Sequence, residues 1–198
     1  MSTANTMATN LPKEELRHRV NSTLGMVFFI GSWSMAFGTF FLAFMILRQR
    51  VGVWPPEGIS LPSFPLAIVA TSIMIASSVA LHRAMKGLSA GTDRARRDWV
   101  LTIALGLGFA VVQGWLWLDL MAAGRHPTSG LYESLFYGLT WFHAAHVVCG
   151  LLGLLWAWIG LATGRYGTHR LSTVNNIAMF WHFVDVVWII LFLGFFVF

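Results

Sequence analysis

Trp181-His182-Phe183-Val184-Asp185-Val186-Val187-Trp188 places a histidine and an aspartate in the middle of the last long apolar stretch, Ile177 to Phe198. No other side chain in that stretch ionises. A charged group at the centre of a bilayer costs about 2.5–3.5 kcal/mol on insertion scales, so it normally faces protein or water and has a partner. The octet therefore predicts a membrane helix that packs against something polar through a specific contact.

The rest of the chain has the composition of a protein dissolved in lipid. It is 57% hydrophobic and 11% charged, with a mean hydropathy of +0.68. A soluble domain carries about 25% charged residues. The net charge of +5 and pI of 10.1 would suit a nucleic-acid partner. The basic residues lie in the loops between apolar runs, however, where membrane topology places them, and a nucleic-acid role is set aside. Cys149 is the single cysteine and lies inside an apolar run, so no internal disulfide forms and redox compartment is not legible. The first apolar run, of about 24 residues, is longer than the 7–15 of a signal-peptide core, which predicts a retained helix.

About 20 apolar residues are needed to cross a bilayer as a helix. Five runs meet that length, at about 24–47, 64–85, 99–122, 134–162 and 175–198, after a polar N-terminal tail over 1–23. Barrel-type alternation is absent, so the fold class is all-α, a bundle of five transmembrane helices. With the loops assigned alternately to two sides, the N-terminal side holds 10 of the 13 Lys and Arg residues. Only Arg48, Arg50 and Arg125 fall on the other side. The positive-inside rule then puts the N-terminus and its tail in the cytoplasm and the C-terminus outside. The outer loop Trp54-Pro55-Pro56-Glu57-Gly58 is non-helical, with Trp54 placed as an interfacial anchor.

His143 and His146 share a face of the fourth helix at i, i+3, as do His182 and Asp185 on the fifth. A metal or haem site with His182 as third ligand is one use of such histidines. They lack cysteine company, and one aspartate is the only carboxylate in reach. Interhelical hydrogen bonding is the other use. At about 1.5 Å per residue, Asp185 lies roughly 15 Å from the inner end of its helix and His146 roughly 18 Å from the outer end of its own. Both are near the midplane, so Asp185 is expected to be held by His143 or His146, as a structural tie or as a proton relay. Gln113 and Asp119 on the third helix are the remaining polar candidates, and Asp119 is near enough to its outer end to reach water. Small residues such as Thr71, Ser72, Ser77, Ser78, Gly106 and Gly150 fit close helix packing. A nucleophile–base pair, a phosphate loop and paired catalytic carboxylates are all absent, so no catalytic residue is assigned.

In order along the chain, these residues resemble subunit III of the haem–copper terminal oxidases. Trp181 to Trp188 is similar to that family's last-helix signature, and Phe142-His143-x-x-His146-Val147 with Gly150 to the helix before it. Trp54-Pro55-Pro56-x-Gly58-Ile59 resembles an outer loop, Thr71-Ser72 with Ala76-Ser77 the next helix, and Leu105-Gly106 with Gln113 the one after. Gly130-x-Tyr132 resembles the short loop before the histidine pair. The resemblance runs from about Phe28 to Phe198 and points to the short form of the family, which lacks the first two of seven helices.

The resemblance implies a subunit of a respiratory oxidase fed by cytochrome c or quinol, in a bacterial cell membrane. It implies no cofactor in this chain, with haems and copper in partner subunits. It further implies packing on subunit I, company from subunit II and small subunits, bound structural phospholipids, and support of proton uptake and stability. Two helices of a neighbouring subunit would replace the missing pair. His143, His146, His182, Asp185, Trp181, Gln113 and Trp54 would form structural, interhelical or lipid contacts. Three family glutamates are replaced here, by Trp33, Leu116 and Asn175, while Asp119 and Asp185 stand at acidic positions. Alternatives are a partner of a nitric oxide reductase and a stand-alone haem or metal protein built on the three histidines. A transporter would show inverted repeats and broken helices, and neither is visible.

Overall fold

The computed structural model describes residues 13–51, 63–92, 94–163 and 171–197. These form α1 (Lys13–Val51), α2 (Phe64–Ser89), α3 (Arg94–Ala122), α4 (Leu131–Ala162) and α5 (Leu171–Phe192), the last running into a π-helical turn over Leu193–Val197. All five helices are long and apolar enough to cross a membrane. Trp54 and its loop lie outside the described residues.

The helix ends differ from the apolar runs. α1 begins at Lys13, within the stretch expected to be a polar tail, because Lys13, Glu14, Glu15, Leu16 and Arg17 are good helix formers and nothing there breaks the helix. α4 begins at Leu131, ahead of Ser134, after an extended Gly130. Between α2 and α3 the chain reverses through Gly91, whose φ of +65° lies in the left-handed region open to glycine. Gly124, at φ +78°, ends α3 in the same way.

α2 and α3 pack along one another as a hairpin, α4 lies against α3 and α5, and α5 also meets α2 and α1. α5 is therefore the helix around which the others gather. Towards the α2–α3 turn, the core holds Leu81, Ala84, Trp99, Leu154, Val174 and Trp181. Towards the α3–α4 turn, it holds Phe44, Leu116, Tyr132, Phe136, Leu191 and Phe195. α1 is the least buried of the five. It inserts Phe37 and Phe44 into the second cluster and leaves Phe28 and Met35 about three-quarters exposed, as suits a helix facing lipid or another chain.

Candidate functional site

Trp181 is fully buried and touches three helices at once. Its indole N–H donates to Ser77 Oγ on α2 at 3.2 Å, and the Ser77 hydroxyl in turn donates to the Thr102 carbonyl on α3 at 3.0 Å. The ring lies between two glycines. A Cβ built on Gly150 of α4 would stand 2.7 Å from Trp181 Cε3, and one on Gly106 of α3 would stand 2.8 Å from Cη2. Real Cβ atoms do not approach so closely, so both positions need glycine for the indole to fit.

The rest of the octet repeats the pattern. At the next residue, His182 Nδ1 and Ser78 Oγ are hydrogen bonded at 2.7 Å, and Ser78 also faces the Asp185 carboxyl. Two turns on, the Trp188 indole N–H donates to Thr71 Oγ1 at 3.1 Å. Thr71 and Ser78 are seven residues apart, two helical turns, so they share a face. The octet thus ties α5 to α2 through the hydroxyls of Thr71, Ser77 and Ser78.

This corrects the expected tie between α4 and α5. Both ring nitrogens of His143 are buried without a hydrogen-bond partner, and so is Asp185 Oδ1. His146 Nδ1 donates at 2.7 Å to the Phe142 carbonyl of its own helix. The i, i+3 spacing and the depths were compatible with a His–Asp contact. The missing information was which neighbour each face meets. His143 faces Phe109 and Trp188, with ring centroids 6.2 and 5.4 Å away. Gln113 is equally buried, and neither atom of its amide has a partner. Among the described residues, no three His, Cys, Asp or Glu side chains gather as a metal-binding group would.

Trp33, Leu116 and Asn175, expected to stand in for family glutamates, have three different surroundings. Trp33 lies edge-on to His146 at 4.4 Å between centroids and also meets Phe142. Leu116 fills the apolar cluster around Phe136, and Asn175 is exposed. Asp119 is exposed near the end of α3, as its position predicted.

At the α3–α4 turn, Arg125 Nη1 pairs with the buried Glu133 at 3.0 Å. Tyr137 donates its hydroxyl proton to the Arg125 carbonyl at 2.9 Å. Arg48 Nη1 donates to the Gly194 carbonyl at 3.0 Å, joining the end of α1 to the π turn. Sequence had marked Arg48 and Arg125 only as loop charges. The signal available for the pair was Glu133, the one acidic residue in the first turn of α4.

Comparison with known proteins gives a consistent match. Residues 11–198 match the family model for cytochrome c oxidase subunit III. A cytochrome c oxidase subunit 3 of Thermostichus vulcanus is 34% identical over 171 residues, covering 85% of this chain and 83% of that protein. A probable cytochrome c oxidase subunit 3 of Nocardia farcinica is 30% identical over 196 residues, covering 94% and 96%. A cytochrome c oxidase subunit 3 of a Synechocystis strain is 33% identical over 191 residues, covering 94% and 81%.

Proposed function

The chain belongs to the cytochrome c oxidase subunit III family, and on that premise we propose how its bundle serves the complex. A respiratory oxidase subunit III is part of an oxidoreductase complex and is not itself catalytic. It is a multi-pass membrane protein that works alongside other oxidase subunits. The proposal is that this one sits in a bacterial cell membrane with its N-terminus in the cytoplasm. There it packs on subunit I, in company with subunit II and small subunits, which hold the haems and copper, and steadies the enzyme and its proton uptake during turnover.

The observation that carries this is the use of the octet. Trp181, His182 and Trp188 spend their polar groups on α2, so polar side chains of the membrane interior serve to hold helices together. Phospholipid is the proposed ligand. Two apolar grooves flank α1. One, of about 270 Å³, lies against α5 between Phe37, Phe41, Phe183 and Ile190; the other, of about 290 Å³, lies against α4 between Phe40, Leu135 and Phe142. Their walls suit acyl chains. Alternatively, two helices of a neighbouring subunit cover this side of α1.

Purification in mild detergent tests the proposal. A haem- and copper-bearing subunit and bound phospholipid are expected to accompany this chain. Recovery of the chain without any oxidase subunit contradicts it.

A further inference from the structure

Polar side chains of this bundle mostly find partners within it. Ser32, Ser34, Thr39 and Ser72 each donate to the carbonyl four residues back in their own helix. Gln113 on α3 and His143 on α4 do not. They are 2% and 1% exposed, and both polar atoms of each side chain are buried without a hydrogen-bond partner among the described residues.

The helix register brings the two together. Trp117 Nε1 of α3 donates to Thr140 Oγ1 of α4 at 3.2 Å. Two turns back along α3, the Phe109 ring lies 6.2 Å from the His143 ring between centroids. Gln113 stands midway, one turn from Phe109 and one from Trp117, so it faces the turn of α4 that runs from Thr140 to His143. Phe109 and Trp188, with ring centroids 4.9 Å apart, wall this place on the inner side, and the Trp117–Thr140 hydrogen bond closes it on the outer side. Gln113 is about 14 Å from the end of α3 and His143 about 18 Å from the start of α4, at 1.5 Å per residue.

Chemistry narrows what can meet these atoms. The amide presents one acceptor oxygen and two N–H donors, and a neutral imidazole presents one donor and one acceptor. A cation would leave the donors unmatched, and an anion the acceptors. An acyl chain offers no hydrogen bond, and a lipid headgroup stays near the interface. A small neutral molecule that both donates and accepts suits the whole set, and water is that molecule. Buried polar atoms left unmade cost their full desolvation. Internal waters that meet such groups make about three hydrogen bonds each.

We infer that Gln113 and His143 form an enclosed water site between α3 and α4, deep in the membrane span, where at least one ordered water bridges the amide to the imidazole. The site stands on the bundle alone and does not depend on which subunits surround it. A leucine in place of His143 exchanges these hydrogen bonds for apolar burial of comparable worth, so the readout is the water itself.

The test uses the intact complex, imaged at a resolution that shows ordered water. Density for a water is expected within hydrogen-bonding distance of both the Gln113 amide and a His143 ring nitrogen. Radiolytic hydroxyl labelling gives a second reading, because radicals formed from an enclosed water attack the side chains around it. Phe109 and Trp188, each 1% exposed, are expected to be labelled despite their burial. Their labelling is expected to fall several-fold in the double variant Gln113→Leu with His143→Leu, while that of Trp99, equally buried and bonded to the Leu154 carbonyl, stays unchanged. A direct hydrogen bond between amide and ring with no density between them overturns the site. So does labelling of Phe109 and Trp188 that is the same in parent and double variant.

Discussion

The Trp181 indole sits where four helices meet, and two glycines rather than two larger residues make the room for it. Gly150→Ala would force a Cβ to within 2.7 Å of the ring, an overpacking that typically costs about 1–3 kcal/mol. At Gly153, one turn away along α4, the same change meets Ile177 Cγ2 at an ordinary 3.5 Å. Thermal unfolding of the purified complex is expected to fall for Gly150→Ala and to hold or rise slightly for Gly153→Ala, since alanine favours the helix by about 0.5–1 kcal/mol. His143 supplies the opposite case. Its ring nitrogens bond to nothing in the described chain, so His143→Leu, which removes the unpaired polar atoms, is expected to leave stability within about 1 kcal/mol of the parent. A drop of several kcal/mol in the same melt would restore His143 as an essential polar contact.

At the scale of the helices, number, order and approximate position were legible from hydropathy alone, because a bilayer demands about 20 apolar residues each time. The ends were not. The polar starts of α1 and α3 are as helical as their cores, and hydropathy registers only the core. The face of α5 that carries Trp181, Asp185 and Trp188 was legible from its spacing, but its partner was not. Helical periodicity fixes which residues look the same way, and says nothing of which helix they look at. Depth could not decide either, since α2 and α4 both carry polar groups near the midplane. The hydroxyls of Thr71, Ser77 and Ser78 were visible as packing residues; their role as acceptors and donors for the octet required the tertiary arrangement. The Arg125–Glu133 pair belongs to this scale too, because it staples the end of α3 to the start of α4. Arg125→Ala leaves a buried carboxylate without its partner, a loss of about 3–5 kcal/mol. Adding Glu133→Ala is expected to recover a large part of that loss in the melting curve. Additive losses would mean that the pair does not act as a unit.

For the whole molecule, the charge asymmetry becomes sharper once the structure is considered. Two of the three basic residues on the charge-poor side, Arg48 and Arg125, are taken up by Gly194 and Glu133. The opposite side keeps Arg83, Lys86, Arg94, Arg96 and Arg97 around a single turn, which by the positive-inside rule is expected to face the cytoplasm. In a Cys149→Ser background, a cysteine at Ser89, beside the α2–α3 turn, is expected to react with a membrane-impermeant thiol reagent only in inverted vesicles, and one at Ser129, in the α3–α4 turn, only in intact cells. The reverse pattern would invert the topology. The central claim is that Trp181, His182 and Trp188 hold α5 to α2, and that the histidines and aspartate of the membrane interior bind no redox centre. It is tested most directly by separating this chain from its complex in detergent and recording its visible spectrum together with its iron and copper content. The account predicts no haem band and no stoichiometric metal on the separated chain, with both remaining on the partner subunits. A haem band or one equivalent of metal that stays with this chain would contradict it.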